Sequence, residues 1–140
     1  MMKVVINGCF GGFGLSHAAM LRYAEIKKIK VYAEEDKYGS LNYYTVPKEK
    51  RTPEVVDGWL SLPLSERQRL NKQWTEERLY DREIARDDEV LVQVVEELGG
   101  KNASGRFAAL KIVNIPDGIE WQIDEYDGSE SISEVHRTWG

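Results

Sequence analysis

The sequence predicts an α+β fold: one small domain with a mixed or antiparallel sheet of about four or five strands, two main helices and a helical surface insertion. Three observations carry this. Short apolar runs at 2–7 and 107–115 are bounded by turn residues. Two stretches, 16–28 and 88–98, repeat apolar side chains at helical spacing. Between them, 47–85 changes to a charged, sparsely apolar composition. With 41% apolar and 31% charged residues over 140 positions, the chain suits one globular core rather than a disordered segment.

Met2–Asn7 reads as a strand covered on both faces, because Val4, Val5 and Ile6 are contiguous. Ser16 is placed to cap a helix reaching about Lys28, with Leu15, Ala19, Tyr23 and Ile26 along one stripe. Lys27 and Lys28 sit at its negative end. Ile29–Ala33 and Leu41–Val46 read as an antiparallel hairpin that Pro47 ends. In 47–85, Thr52-Pro53-Glu54 reads as a helix start, and Ser65–Gln68 as a capping box opening a helix to about Tyr80. Leu70 and Trp74, with Leu64 and Leu79, give that helix a thin apolar stripe. Nine Lys and Arg against eight acids between Lys48 and Arg86 describe a solvated face.

Asp87 or Asp88 caps the next helix, whose Val90, Leu91, Val94, Val95 and Leu98 point inward until Gly99-Gly100 stops it. After a polar turn at 101–105, Phe107–Ile115 is the longest strand signal. Ile119–Tyr126 then alternates apolar and polar residues, and the tight turn at 116–118 predicts that these two strands pair. Asp127-Gly128 turns the chain again. The tail, 127–140, reads as a short helix or extended segment that docks through Ile132, Val135 and Trp139.

A net charge of −5 argues against general nucleic-acid binding. No apolar run approaches the ~20 residues a membrane span needs. A single cysteine and the lack of a signal-peptide pattern predict a cytoplasmic protein.

The densest stretch is Asn7-Gly8-Cys9-Phe10-Gly11-Gly12-Phe13-Gly14-Leu15-Ser16-His17. Gly11, Gly12 and Gly14 before a helix offer bare N–H groups to an anion, flanked by Ser16 and His17, and Phe10 and Phe13 can stack on a base. The spacing matches neither the dinucleotide fingerprint nor the P-loop, so a tight turn is the first reading. Cys9 with His17 and His136 suggests a thiol nucleophile and base, but a free cysteine more commonly packs. Nor do these three show the local pairing of zinc ligands. We therefore assign no catalytic residue, metal or cofactor. A second cluster closes the chain: Tyr126, Glu130, His136, Arg137 and Trp139, with Arg137 suited to clamp a phosphate. Arg86 and Arg106 are further anion contacts.

Three blocks carry a resemblance: Val5–Ser16, Arg86–Gly99, and Asp117-Gly118 through Glu125–Glu130 to Glu134–Trp139. They resemble a family of small bacteriophage and prophage accessory proteins, cover about half of the chain and skip 47–85. The resemblance implies a protein that acts on the host cell and counters its defences. The expectation is therefore a non-enzymatic phage protein of the host cytoplasm that binds and sequesters a host-derived small molecule, a nucleotide immune signal. One alternative is an inhibitor that binds a host defence or regulatory protein through 47–85, with Trp59 and Trp74 as anchors. The other is a small hydrolase or transferase using Cys9 or His136. Exposed-looking aromatics predict a homo-oligomer.

Overall fold

Val4-Val5-Ile6-Asn7 has no face to give to water, and all four residues are buried. The computed structural model describes residues 1–53 and 57–135. Among these residues, six strands form three two-stranded antiparallel ladders beside four α-helices, an α+β arrangement. The chain packs as two compact units, one made of Met1–Lys27 and the chain from Asp81 on, the other of Lys28–Tyr80.

In the first unit, β1 (Met2–Asn7) pairs with β4 (Leu110–Ile115), Met2 opposite Ile115 and Asn7 opposite Leu110. Strand alternation sends Val4, Ile6 and Ile115 to one face, where they meet Trp121, Ile123 and Ile132. Those three belong to a hairpin, β5 (Trp121–Tyr126) and β6 (Ser129–Glu134). The helical layer is α3 (Glu89–Leu98) on β1 and β4, with α1 (His17–Lys27) beside α3. Leu91, Val92, Val94 and Val95 bury one side of α3; Ala19, Met20, Tyr23 and Ala24 bury one side of α1. A short helix, α4 (Gly100–Ala103), occupies the region expected to be a polar turn. Fully burying a Val, Leu or Ile is worth roughly 1.5–3 kcal/mol, so this layered core is the unit's main source of stability.

One expectation changes here and one is narrowed. β4 pairs with β1 and not with β5, and of the two forms expected for the tail, short helix or extended segment, 129–134 takes the extended one as a strand. The reason lies in the turns. Asp127 (φ 49) and Gly128 (φ 88) form a two-residue loop with both central residues left-handed, the geometry that suits strand twist. That turn commits β5 to β6, and the 116–118 connection instead carries the chain from one layer to the next.

The second unit starts with the hairpin β2 (Tyr32–Glu35) and β3 (Leu41–Tyr44), close to its expected place. Asp36 organises its turn, accepting the N–H groups of Tyr38 (2.8 Å) and Ser40 (3.0 Å). α2 (Leu64–Glu76) begins one residue before Ser65, with Pro63 at the N-cap and no side-chain cap, so the expected capping box does not form. It also stops short of Tyr80. Glu77 closes the helix (φ −86, ψ 0) and the chain then runs beside β3, Thr45 N–H donating to Glu77 O and Leu79 N–H to Tyr43 O, each at 2.8 Å. Most of the stretch read as a surface insertion therefore packs with the hairpin before it. The helix start expected at Thr52-Pro53-Glu54 lies partly outside the described residues. No helix among the described residues is long and apolar enough to cross a membrane.

Asp88 fixes the start of α3, accepting the N–H groups of Val90 (2.8 Å) and Leu91 (3.2 Å). Its other oxygen takes the Tyr23 hydroxyl (2.9 Å) and Lys27 Nζ (3.2 Å). Burial first, and then the bond to Asp88, push the Tyr23 phenol up to about 12. Burial works against the charged Asp88, yet the bonds from Tyr23, Leu91, Lys27 and Val90 hold it below the ordinary carboxylate range. A raised phenol adds stability that is complete below its unfolded value near ~10 and is lost as pH rises through the folded value. We expect urea midpoints to fall from about pH 10 to about pH 12 and Tyr23→Phe to flatten that limb. Asp88→Ala should cost about 1–2 kcal/mol at neutral pH through the lost cap, measured by urea denaturation.

Candidate functional site

The glycine-rich stretch is organised by the residue that opens it. Asn7 is the buried polar side chain of the core, 0% exposed. Its Nδ2 donates to Cys9 O (2.7 Å) and Gly128 O (2.8 Å), and its Oδ1 accepts the Ala109 N–H (2.8 Å). Its own N–H donates to Glu130 Oε1 at 2.8 Å. A buried amide has to satisfy its donors and acceptor, and Asn7 does so across three separate segments. The glycines then follow. A Cβ on Gly11 would stand 1.8 Å from Phe107 O, and one on Gly128 2.5 Å from Phe10 O. Backbone passes backbone here, and only glycine permits it. Ahead of α1, the Leu15 N–H is taken by the Asp81 carboxylate (2.9 Å) and the Ser16 N–H by Ala103 O (2.8 Å).

The residues expected to bind a ligand fall into five groups. Phe13, Arg86 and Glu130 come together and satisfy one another. Arg86 holds Glu130 at both oxygens (2.6 and 3.0 Å), and its guanidinium lies 3.5 Å from the centre of the Phe13 ring. The Glu130 side chain is 7% exposed. Ser16 is a helix cap, accepting the Ala19 N–H (3.1 Å) and donating to Asn102 O (2.7 Å). Phe10, His17, Arg106 and Tyr126 are exposed, with Arg106 over the Phe107 ring at 5.3 Å. Gly11 makes the close approach to Phe107, and Gly12 holds a left-handed turn (φ 97). His136, Arg137 and Trp139 lie outside the described residues. Cys9 is half-buried, its Sγ 3.1 Å from Phe107 O. Among the described residues no group of three His, Cys, Asp or Glu is placed to hold a metal.

The open site lies in the Lys28–Tyr80 unit. A cavity of about 850 Å³ is lined there by Tyr44, Lys48, Arg51, Trp74, Arg78 and Tyr80, among others. Local structure explains the arrangement. Tyr44 ends β3 and bridges to Arg78, which places α2's exit beside the hairpin. The Arg51 guanidinium stacks 3.6 Å from the Tyr44 ring centre, donates through Nε to Val46 O (3.3 Å), and is ion-paired with Glu34. Arg78 lies 4.1 Å from the Tyr80 ring centre and 5.5 Å from that of Tyr44. Its Nη2 donates to Asn42 Oδ1 at 2.6 Å. On the opposite wall Trp74 packs against Trp59, ring centres 5.4 Å apart, and donates to Thr52 O (3.3 Å). Glu77 is occupied by the Thr52 N–H and hydroxyl, the latter at 2.7 Å.

Charge sorts these side chains. Glu34 neutralises Arg51, whereas no carboxylate pairs with Arg78 or Lys48 among the described residues. Asp36, held below its ordinary range first by the Ser40 and then the Tyr38 N–H groups, feels Arg78 only weakly. Residues 28–80 carry ten Lys and Arg against nine Asp and Glu, a net of +1, so the rest of the chain carries −6 of the total −5. The acidity belongs to the other unit.

Comparison with protein-family models, with curated proteins and with solved structures returns no match. The functional reading therefore rests on geometry. Sequence reasoning missed Tyr44, Arg51, Arg78 and Tyr80. Their signal was an aromatic–basic pattern, Tyr43-Tyr44 and Arg51 answered by Arg78-Leu79-Tyr80, read instead as strand filler and a solvated face.

The Arg86–Glu130 pair gives a test of structural against ligand-binding roles. Arg86→Ala leaves a buried carboxylate unpaired and should cost about 3–5 kcal/mol, whereas the double variant Arg86→Met/Glu130→Gln, which removes both charges and keeps an acceptor for the Asn7 N–H, should recover most of that loss. Urea denaturation of the three proteins measures both.

Proposed function

We propose that this is a binding protein that sequesters a small, planar, anionic molecule of the host cell in the 28–80 cavity. A host nucleotide signal is the ligand class that fits best, and the setting is the phage anti-defence role implied by the sequence resemblance. The observation that carries the proposal is the pairing of guanidinium planes with aromatic rings around a space of about 850 Å³. That volume lies within the few-hundred to ~1,000 Å³ range of small-molecule sites. Tyr44 and Tyr80 already carry a guanidinium on one face, the place a cationic ligand would take. What remains is cationic edges and the indole of Trp74, which suit an anion joined to a flat ring.

The lining threonine hydroxyls are bonded within the wall, Thr52 to Glu77 and Thr75 to Asn71 O, which favours holding over turnover. A second reading has its own observation: Leu60 and Leu64, beside the Trp59–Trp74 pair, are strongly exposed. Two exposed leucines next to half-buried indoles suit a protein partner docking on the 59–64 turn. Leu60→Asp/Leu64→Asp should then abolish capture of a host protein while leaving nucleotide binding intact.

Titration calorimetry against nucleoside monophosphates, 3′,5′-cyclic nucleotides and cyclic ADP-ribose isomers tests the main reading. We expect heat with at least one, together with a tryptophan fluorescence change that Trp74→Phe removes. Absence of heat across the whole set rejects the sequestration reading.

A further inference from the structure

Resting on the cavity reading above, we infer that Arg78 is the residue that recognises the ligand's charge, and that the site selects for a phosphate while tolerating different bases. The two arginines of the cavity differ in what already holds them. Arg51 is fixed by Glu34, by Val46 O and by its stack on Tyr44, so it is part of the wall. Arg78 is held by rings and by one neutral acceptor, Asn42. Its Nε is buried without a hydrogen-bond partner, and its Nη1 bonds to no described residue yet is not among the buried atoms. A guanidinium with an open edge and no counter-ion is the strongest anion receptor in the cavity. Lys48, exposed at the rim and unpaired among the described residues, adds a second, movable charge. A phosphate ester, with more than one negative charge near neutral pH and three acceptor oxygens, matches one planar fork plus one ammonium.

Base tolerance follows from which polar groups are spent. Glu77 and Thr52 bond to each other, and the Thr75 hydroxyl donates to Asn71 O within α2. Among the described lining side chains that leaves Asn71, Glu49 and the hydroxyls of Tyr44 and Tyr80 to read a base edge, and of these only Tyr44 is not exposed. Stacking on Trp74 accepts any base, because every base has a π-face. Selecting one base would also call on the Thr52, Glu77 and Thr75 groups, which already bond within the wall.

The test uses the full chain with four probes, AMP, GMP, CMP and 3′,5′-cyclic AMP, and adenosine as the uncharged control. The expected result is that the three monophosphates bind within about tenfold of one another and adenosine at least about tenfold more weakly. Arg78→Gln should weaken AMP by about tenfold or more without changing adenosine, and Arg78→Lys should lose less. Should Arg78→Gln not fold, the salt dependence of the wild type decides: AMP binding weakens with salt and adenosine binding does not. The inference is overturned by a folded Arg78→Gln protein that binds AMP like wild type. It is overturned equally by preference for a single base above ~100-fold, by salt-independent AMP binding, or by binding of another calorimetric ligand with none of these four. If the wild type binds no nucleotide at all, the cavity reading itself falls.

Discussion

One carboxamide at the end of β1 holds the first unit together. Asn7 is buried, and each of its hydrogen-bonding groups ties a different segment to β1: the glycine loop through Cys9, the 105–109 segment through Ala109, and the β5–β6 turn through Gly128. An aspartate has the same shape but no donors, and would set a second negative charge beside Glu130. The amide's mixed character is therefore the constraint. Once it is met, the glycines, the Asp127-Gly128 turn and the Arg86–Glu130 pair have one compatible arrangement, because each closes against a backbone that Asn7 has already fixed.

This changes the meaning of the glycine-rich stretch. Bare N–H groups ahead of a helix invite an anion, but here the protein supplies its own, the Asp81 carboxylate at Leu15. In the same way Arg86 meets a carboxylate from within the chain before any ligand arrives. Arginines separate by what has claimed them. Arg86 is bound by Glu130 and Arg51 by Glu34, whereas Arg78 is supported by rings and an amide. The largely buried Arg86–Glu130 pair spends its charge on fold geometry, at a desolvation cost that makes it a poor donor to anything else.

The elements that were legible in the sequence are those whose causes are local. Val4-Val5-Ile6 marks β1, Ser16 and Asp88 mark helix starts, and Gly99 marks the end of α3. Partner choice was not legible, because β4 could pair with either neighbour. What decided it was the left-handed Asp127-Gly128 pair, which binds β5 to β6 more firmly than the Pro116-containing connection binds β4 to β5. Ser65 failed as a cap because Pro63, two residues earlier, starts the helix first. The site followed the same rule. Glycines were visible, but the atoms they make room for, Phe107 O and Phe10 O, come from distant segments. Tyr44 and Arg78 were visible as residues, and only the bridge between their strands makes them neighbours.

An anion site on a chain of net charge −5 needs a physical account, and the division of charge provides one. Residues 28–80 are near neutral with a net of +1, and the excess acid lies elsewhere in the chain. At physiological ionic strength charges separated by more than about 8 Å are largely screened in solvent. An anion at Arg78 is therefore governed by the few charges within that reach rather than by the whole-chain sum. In the cavity lining Lys48, Arg51 and Arg78 stand against Glu49 and Glu77, Glu77 is bonded to Thr52, and Asp36 is stabilised chiefly by its own turn. Backing the Arg78 guanidinium with Tyr80 and Tyr44 also lowers its hydration without supplying a counter-ion. A cation treated in that way gains more from an arriving phosphate than a solvated one does. The cavity is thus better fitted to an anion than the composition of the chain suggests.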